Sequence, residues 1–428
     1  MALTKAEKRN PWAWVPSLYF AEGIPYTIAM YVSVVMYKNM GISNADIALY
    51  TSWLYLPWVI KPLWSPVVDL LKTKRYWIVT TQFVISVALA GVALTIHLPF
   101  FFAATILILW LMAFSSATHD IAADGFYMLG LDEGTQATFV GVRATFYRIA
   151  MITGQGVLVI LAGYFENHGG TSFGWSVTFF AVAGLFFLLF LYHRFLLPYP
   201  TSDAVRLEGI SSRFLKDFLK TFGSFFQKKG IVLSVAFLLL FRINESQLIK
   251  LIAPFLMDAR AQGGLGLSTS QVGVAYGTVG LIGLMVGGIL GGIAIARKGL
   301  RFWLLPMMLI IHIPDLVYIF LSHTQPDNFP LVCGLVGAEQ FSYGFGFAAY
   351  MMYMIKIAEG EQKTAHFAIC TGIMALGMMI PGMFAGALQE LLGYKTFFGT
   401  VLLSLIPALI IVLLMDVDPE FGKKKPAA

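Results

Sequence analysis

Apolar segments long enough to cross a membrane recur along almost the whole chain. A helix needs about 20 apolar residues to cross the hydrocarbon layer of a bilayer. Twelve segments of the 428-residue sequence meet this requirement, so we expect an all-α polytopic membrane protein. The predicted spans are residues 12–37, 45–71, 77–97, 99–128, 137–164, 174–197, 231–258, 270–296, 301–323, 329–357, 364–391 and 395–415.

The composition agrees with this prediction. Hydrophobic residues make up 58% of the chain and charged residues 12%, against about 45–50% and about 25% in soluble domains. These values exclude a soluble enzyme and a disordered protein. Cys333 and Cys370, the two cysteines, both fall in apolar segments, so we expect no disulfide framework, no metal site and no cofactor.

Basic residues predict the orientation of the spans. Of the 29 Lys and Arg residues, 21 lie at one set of span ends, and three, Lys38, Arg260 and Lys395, lie at the opposite set. Positive residues favour the cytoplasmic side, so we expect both termini to be cytoplasmic. The first apolar segment contains Glu22 and lacks a cleavage site, so we expect a retained helix rather than a signal peptide.

The connection 198–230, the longest in the chain, divides it into two six-span bundles, residues 1–197 and 231–428. Two six-helix halves resemble the major facilitator architecture, in which the solute site lies between the halves. Within the connection, apolar and basic residues of 211–229 alternate at helical spacing. This pattern predicts an amphipathic helix at the cytoplasmic surface that links the bundles.

Charged residues inside the predicted spans are functional candidates, because a membrane interior disfavours them. Asp120 and Asp124 in span 4 are four residues apart and therefore lie on one helix face. When two carboxyl groups lie so close together and away from water, it is unfavourable for both to be charged at once. One of them then tends to hold a proton, and proton coupling requires such a group. The alternative is a structural ion pair with Arg143 or Arg148 of span 5.

Span 7 begins with the most polar stretch of the second bundle. Arg242 and Glu245 are three residues apart and can pair along the helix, with Asn244, Gln247 and Lys250 close by. Spans 1, 4, 7 and 10 line the cavity of the facilitator architecture, and the charges of this chain fall mainly on those spans.

We therefore expect two functional groups of residues. The proton-coupling candidates are Glu22, Asp120, Asp124 and Glu245. The candidates for solute binding are Tyr19, Tyr26, His119, Arg242, Asn244, Gln247, Lys250, Glu339 and Gln340. Lys61, between two prolines, is expected to reach a membrane interface, and Asp315, after Pro314 in a peripheral span, is expected to have a packing role.

The end of span 2 resembles the loop motif of facilitators, an acid followed by basic residues, with Ser65 in place of the motif's glycine. We expect this motif to act as a conformational latch, because its acid can cap a neighbouring helix N-terminus. The latch candidates are Asp69, Lys72, Lys74, Arg75, Arg143 and Arg148.

Four segments together resemble the peptide–acetyl-coenzyme A–drug transporter family, which includes the AmpG-type muropeptide permeases. They are Leu18–Pro25, Lys61–Asp69, Ala117–Gly125 and Phe241–Glu245. The resemblance implies proton-driven import of anhydro-muramyl peptides across a bacterial inner membrane. It also implies that the acids of span 4 and the charged pair of span 7 are the family's functional residues.

The resemblance leaves the solute open, and acetyl-coenzyme A, a siderophore or a drug are alternatives. A membrane signal transducer that moves no solute is a further alternative. An enzyme is not expected, because no nucleophile–base pairing or phosphate-binding loop is present. The expected partners are a small solute, protons and the bilayer, with no nucleic acid, and we expect a monomer.

Overall fold

A computed structural model describes residues 9–201, 203, 220–360 and 362–423, and the regular secondary structure of these residues is helical. The α-helices are α1 (Val15–Thr27), α2 (Ser33–Asn39), α3 (Asn44–Trp53), α4 (Leu56–Leu71), α5 (Lys74–Thr95), α6 (Phe101–Gly130), α7 (Glu133–Ile152), α8 (Val159–Gly169), α9 (Thr171–Leu196), α10 (Ile231–Leu240), α11 (Ile243–Met257), α12 (Thr269–Val274), α13 (Leu281–Lys298), α14 (Leu300–His312), α15 (Leu316–Thr324), α16 (Phe329–Ala358), α17 (Lys363–Leu403) and α18 (Leu405–Leu414).

Within the described residues, nine helical stretches are long and apolar enough to cross a membrane. One of them, Ala365–Leu414, covers two predicted spans, and Gly393 (φ 71°) interrupts its helix between them. The predicted spans 45–71 and 329–357 are helical but fall outside the nine, because polar residues and a break after Trp53 reduce their apolar length. The count of twelve spans stays a prediction.

Many large apolar side chains are on the outside of the helices. Leu107, Val232 and Leu391 are 72%, 82% and 81% exposed, whereas buried positions include several acids and histidines. Apolar residues outside and polar residues inside are the distribution that lipid favours around a helical protein.

The contacts divide the chain into two compact units. Unit 1 comprises residues 1–36 and 60–214. In this unit, α1 packs on α6 and α7, while α5 packs on α6 and α9. Its buried core includes Trp14, Leu18, Ile78 and Phe126.

Unit 2 comprises residues 37–59 and 215–428, so it includes the chain from the end of α2 to the start of α4. There α3 packs on α17, which also packs on α11. Asn44 at the start of α3 donates hydrogen bonds to Gln389 (2.6 Å) and to Tyr394 (2.9 Å). Close by, Lys38 forms an ion pair with Asp258 at 2.5 Å.

One of the close helix contacts of unit 2 joins α13 to α16 through glycine. A Cβ atom at Gly283, Gly287 or Gly291 would lie 2.5, 2.0 or 2.3 Å from a backbone oxygen of α16. These glycines are four residues apart and lie on one face, which lets the two backbones approach. A side chain of any size would force the helices apart.

Three helices contain a turn of π-helix, at Ile28–Val32, Thr153–Leu158 and Ala275–Gly280. Such turns are rare and frequently occur at functional sites. Residues 211–219 of the amphipathic helix predicted at 211–229 lie outside the described residues, and 220–226 are helical.

Candidate functional site

Helix α6 places Asp120 and Asp124 one turn apart in unit 1, where each meets a different cation. The Oδ2 atom of Asp120 lies 3.7 Å from Nζ of Lys61 in α4. Lys61 is therefore part of a charge cluster rather than a residue that reaches an interface. Asp120 is 7% exposed and the Lys61 side chain is 28% exposed, so this pair is partly shielded from water.

Asp124 interacts with α7 and α1. Its Oδ1 atom accepts a hydrogen bond from Nη2 of Arg143 at 2.8 Å and another from the Tyr19 hydroxyl at 3.1 Å. The Arg143 guanidinium also lies 4.5 Å from the ring centre of Tyr19 and 5.1 Å from that of Tyr127. The pair of Asp124 with Arg143 is the structural alternative that the sequence left open. Arg143 was also a latch candidate, and Tyr19, a candidate for solute binding, lies in the acid cluster as well.

Glu22 of α1 is the third carboxyl group of this cluster. It is 9% exposed, and its Oε2 atom has no hydrogen-bond partner among the described residues. Asp120, Asp124, Lys61 and Arg143 all lie close enough to act on it electrostatically. Unit 1 thus holds three buried or partly buried acids around two cations.

His119 is directed away from these acids into a chain of hydrogen bonds. Its Nε2 atom lies 2.9 Å from Nε2 of Gln82, whose Oε1 atom lies 2.9 Å from Nδ1 of His193. His193 Nε2 then lies 2.9 Å from the Ser17 hydroxyl. The chain ties α6, α5, α9 and α1 together, and its members from Gln82 onward were not among the predicted residues.

Unit 2 has an acid cluster of its own. The Tyr318 hydroxyl of α15 donates to Oε2 of Glu339 at 2.7 Å, and Gln340 donates to the same oxygen at 3.0 Å. Glu339 is 1% exposed. Both of its donors are neutral, in contrast to the cations beside Asp120 and Asp124.

Asp315 precedes α15 and pairs with α11. The Nδ2 atom of Asn244 donates to Oδ2 of Asp315 at 2.8 Å. Glu245, the next residue of α11, is also buried, and Glu339 acts on it electrostatically. Three carboxyl groups therefore lie near one another in unit 2.

The two cations of span 7, Arg242, which is partly buried, and Lys250, which is buried, have aromatic partners. The Arg242 guanidinium donates to the Tyr343 hydroxyl and lies 4.6 Å from the ring centre of Phe347. Lys250 donates to Thr51 at 3.0 Å and lies 5.1 Å from the Tyr55 ring. Arg242 also acts electrostatically on Glu245.

Gln247 and Tyr26 are the remaining solute-binding candidates. Gln247 is partly buried and donates to the backbone oxygen of Ile243 at 3.1 Å. Tyr26 of α1 and Arg148 of α7, a latch candidate, are both partly buried.

Two of the predicted latch residues, Lys74 and Arg75, contact the start of the linker. The backbone N–H groups of Lys74 and Arg75 donate to the two carboxylate oxygens of Asp203, at 2.7 and 3.0 Å. Asp203 therefore caps the N-terminus of α5. The Arg75 guanidinium lies 3.8 Å from the Tyr199 ring, and Lys72 lies over Tyr76. The side chain of Asp69 lies outside the described residues.

The sequence contained a signal for several residues that the prediction missed. Lys61, Gln82 and His193 are polar side chains within apolar helices, and each is partly or fully buried. A membrane interior disfavours such residues unless they have partners. Which partner each one meets depends on helix packing, and the sequence pattern does not supply that.

The comparisons with known proteins agree with this architecture. The sequence profile of the BT1 family matches residues 22–358. The putative transporter AmpG 4 of Rickettsia conorii is 25% identical over 97% of this chain and 99% of its own length. The anhydromuropeptide permease of Escherichia coli K12 is 24% identical, over 95% of this chain and 80% of the permease.

The fold has solved counterparts among facilitators. The crystal structure of the D-xylose-proton symporter superposes with a TM-score of 0.69 at 14% identity, covering 97% of this chain and 99% of the symporter. The family match covers most of the chain, and the relatives and structural neighbours are transporters rather than enzymes. The chain therefore belongs to the BT1 family and is a membrane transporter of the major facilitator fold.

Proposed function

We propose that this transporter imports muropeptide-like cell-wall fragments together with protons across a bacterial inner membrane. It acts as a monomer with twelve spans, both termini in the cytoplasm, and two bundles that give alternating access to one solute site. The excess of basic residues at one set of span ends supports this orientation. The similarity to an anhydromuropeptide permease supports the solute class.

One observation carries the proton-coupling proposal. Glu22 is buried beside two carboxylates that already have cations, Asp120 with Lys61 and Asp124 with Arg143. A buried carboxylate without a cation of its own takes up a proton rather than remain charged. Three acids around two cations therefore hold one proton.

Release of that proton would change the ion pairs of unit 1. A charged Glu22 competes with Asp120 for Lys61 and with Asp124 for Arg143, since it acts on all four groups. These side chains belong to α1, α4, α6 and α7, so the competition shifts forces between four helices. This is the element of the site that proton binding can switch.

Arg242 and Lys250 are the groups that we assign to solute recognition. A muropeptide carries peptide carboxylates, which a guanidinium binds through paired hydrogen bonds. The aromatic rings of Tyr343 and Phe347 around Arg242 add flat apolar surface for a sugar ring. Acetyl-coenzyme A carries several phosphates and would need more cations than these two.

Transport into proteoliposomes tests the proposal. We expect labelled anhydromuropeptide to accumulate only when a proton gradient is imposed across the membrane. Glu22→Gln and Asp120→Asn should abolish accumulation and leave exchange of labelled for unlabelled solute intact. Asp132→Asn is the matched control, because Asn can replace Asp132 as the N-terminal cap of α7.

Three results would contradict parts of the proposal. Uptake that does not depend on the proton gradient would contradict the proposed proton coupling. Full accumulation by Glu22→Gln would exclude Glu22 as the proton carrier. Uptake of labelled acetyl-coenzyme A in place of the muropeptide would replace the solute class, and uptake of neither would favour a signalling role.

A further inference from the structure

The pair formed by Asn244 and Asp315 leaves two buried oxygen atoms without a donor. Nδ2 of Asn244 donates to Oδ2 of Asp315 at 2.8 Å. Oδ1 of Asn244 and Oδ1 of Asp315 have no hydrogen-bond partner among the described residues. Both residues are 1% exposed, so bulk solvent does not reach these oxygens. Buried polar atoms are rarely left in this state.

A proton on the carboxyl group satisfies both oxygens at once. An amide and a carboxylic acid can join through two hydrogen bonds, one donated by each group. Here the amide donates the bond already present, and a protonated Oδ1 of Asp315 would donate to Oδ1 of Asn244. The opposite orientation of the amide would put two oxygens 2.8 Å apart, which also requires a proton between them.

The surroundings of Asp315 offer no other way to balance its charge. Among the described residues, neither Asp315 nor Glu339 forms an ion pair. The ionisable groups that act on Asp315 from the packed helices are Glu339 of α16 and Glu245 of α11, both acids. Along its own segment it is flanked by His312, which bonds to a backbone oxygen, and by Tyr318, which bonds to Glu339.

We propose that Asp315 and Asn244 form a proton-binding site in unit 2, separate from the acids of α6. The sequence predicted only a packing role for Asp315. The ligand is a proton, held between a carboxyl group and an amide.

The site links two parts of unit 2. Asn244 lies in the first turn of α11, and Asp315 lies in the short turn between α14 and α15. Loss of the proton leaves a charged carboxylate facing an amide oxygen, which repels it and weakens the connection. A role for this step in the transport cycle rests on the proposed function, whereas the bound proton does not.

Infrared difference spectroscopy on the purified full-length protein tests the bound proton. A protonated carboxyl group has a carbonyl band that a carboxylate lacks. We expect Asp315→Asn to lose part of that band at neutral pH. Asp258→Asn should retain it, because Asp258 has a cation as its partner, Lys38 at 2.5 Å. An unchanged band in Asp315→Asn would overturn the proposal.

A second variant keeps the test decisive if Asp315→Asn does not fold. Asn244→Ala removes the amide that donates to the carboxyl group but leaves the carboxyl group in place. We expect the band of the protonated acid to shift to higher frequency, because its carbonyl loses a hydrogen bond. A band that stays at its position in Asn244→Ala would show that the proton is not held by this pair.

Proteoliposomes test the role in transport. With labelled anhydromuropeptide as the probe, we expect Asp315→Asn to lose gradient-driven accumulation and to retain exchange. Normal accumulation by this variant would exclude a coupling role while leaving the bound proton in place. If the wild-type protein does not transport the probe, the proposed solute fails, and the infrared result still decides whether the proton site exists.

Discussion

The two units contain buried acid clusters that are built in opposite ways. In unit 1 the carboxylates of Asp120 and Asp124 meet cations, Lys61 at 3.7 Å and Arg143 at 2.8 Å. In unit 2 the carboxyl groups of Glu339 and Asp315 meet neutral donors, Tyr318 and Asn244. The first arrangement stabilises charged acids, and the second suits acids that carry a proton.

The difference shows how a transporter can keep many acids in its interior. An ion pair keeps a buried carboxylate charged, since removing either partner leaves an uncompensated charge. Neutral donors stabilise either form, so the group can gain or lose a proton without stranding a cation. The comparison therefore predicts that removing a partner has a larger effect in unit 1 than in unit 2.

The largest effect is expected for Lys61→Met. The substitution strands Asp120 beside Glu22 and Asp124, and breaking a buried pair of this kind costs about 3 kcal/mol. We expect a clear loss of thermal stability of the purified protein, measured by thermal unfolding. The double variant Lys61→Met/Asp120→Asn should recover most of it.

Lys250→Met is the matched control for that experiment. Lys250 is fully buried, but its hydrogen-bond partner is the Thr51 hydroxyl rather than an acid. Its loss leaves no carboxylate behind. Equal destabilisation by the two lysine variants, or no recovery in the double variant, would contradict the charge pairing of Asp120.

Arg143→Gln should have an intermediate effect. The Arg143 and Asp124 side chains are 32% and 39% exposed, so water compensates part of the loss. We expect a destabilisation on the order of 1 to 2 kcal/mol, between the values for exposed and buried pairs. Arg260→Gln, which breaks the more exposed pair with Asp327, should change the unfolding temperature less.

Tyr318→Phe should have the smallest effect of the three. It removes one of two neutral donors to Glu339, and a lost hydrogen bond of this type costs about 1 kcal/mol. Thermal unfolding of the Tyr318→Phe variant measures it directly. A loss as large as that of Lys61→Met would mean that Glu339 is charged in the structure, and the contrast between the units would fail.

The sequence predicted the helical fold and part of the site, for identifiable reasons. The spacing of Asp120 and Asp124 is a local property of a helix, and the structure places both carboxylates in one cluster. Arg143 lies in the next helix, α7, and was one of the two partners that the sequence offered. Lys61 comes from α4, which is distant in sequence, and only tertiary packing selects it as the partner of Asp120.

The pairing of Asp315 with Asn244 is a second contact that the sequence pattern did not predict. A single acid in a peripheral apolar span predicts packing, because its own segment contains no obvious partner. The partner, Asn244, lies 71 positions away in sequence. No periodicity within either segment connects the two residues.

The glycine face of α13 determines how unit 2 can move. Gly283, Gly287 and Gly291 bring the backbone of α13 so close to α16 that not even a methyl group fits between them. Sliding one helix along the other would bring side chains into this close contact. We therefore expect α13 and α16 to move together as one rigid pair of helices. Glu339 lies in α16. Any motion that displaces Glu339 must therefore displace α13 as well.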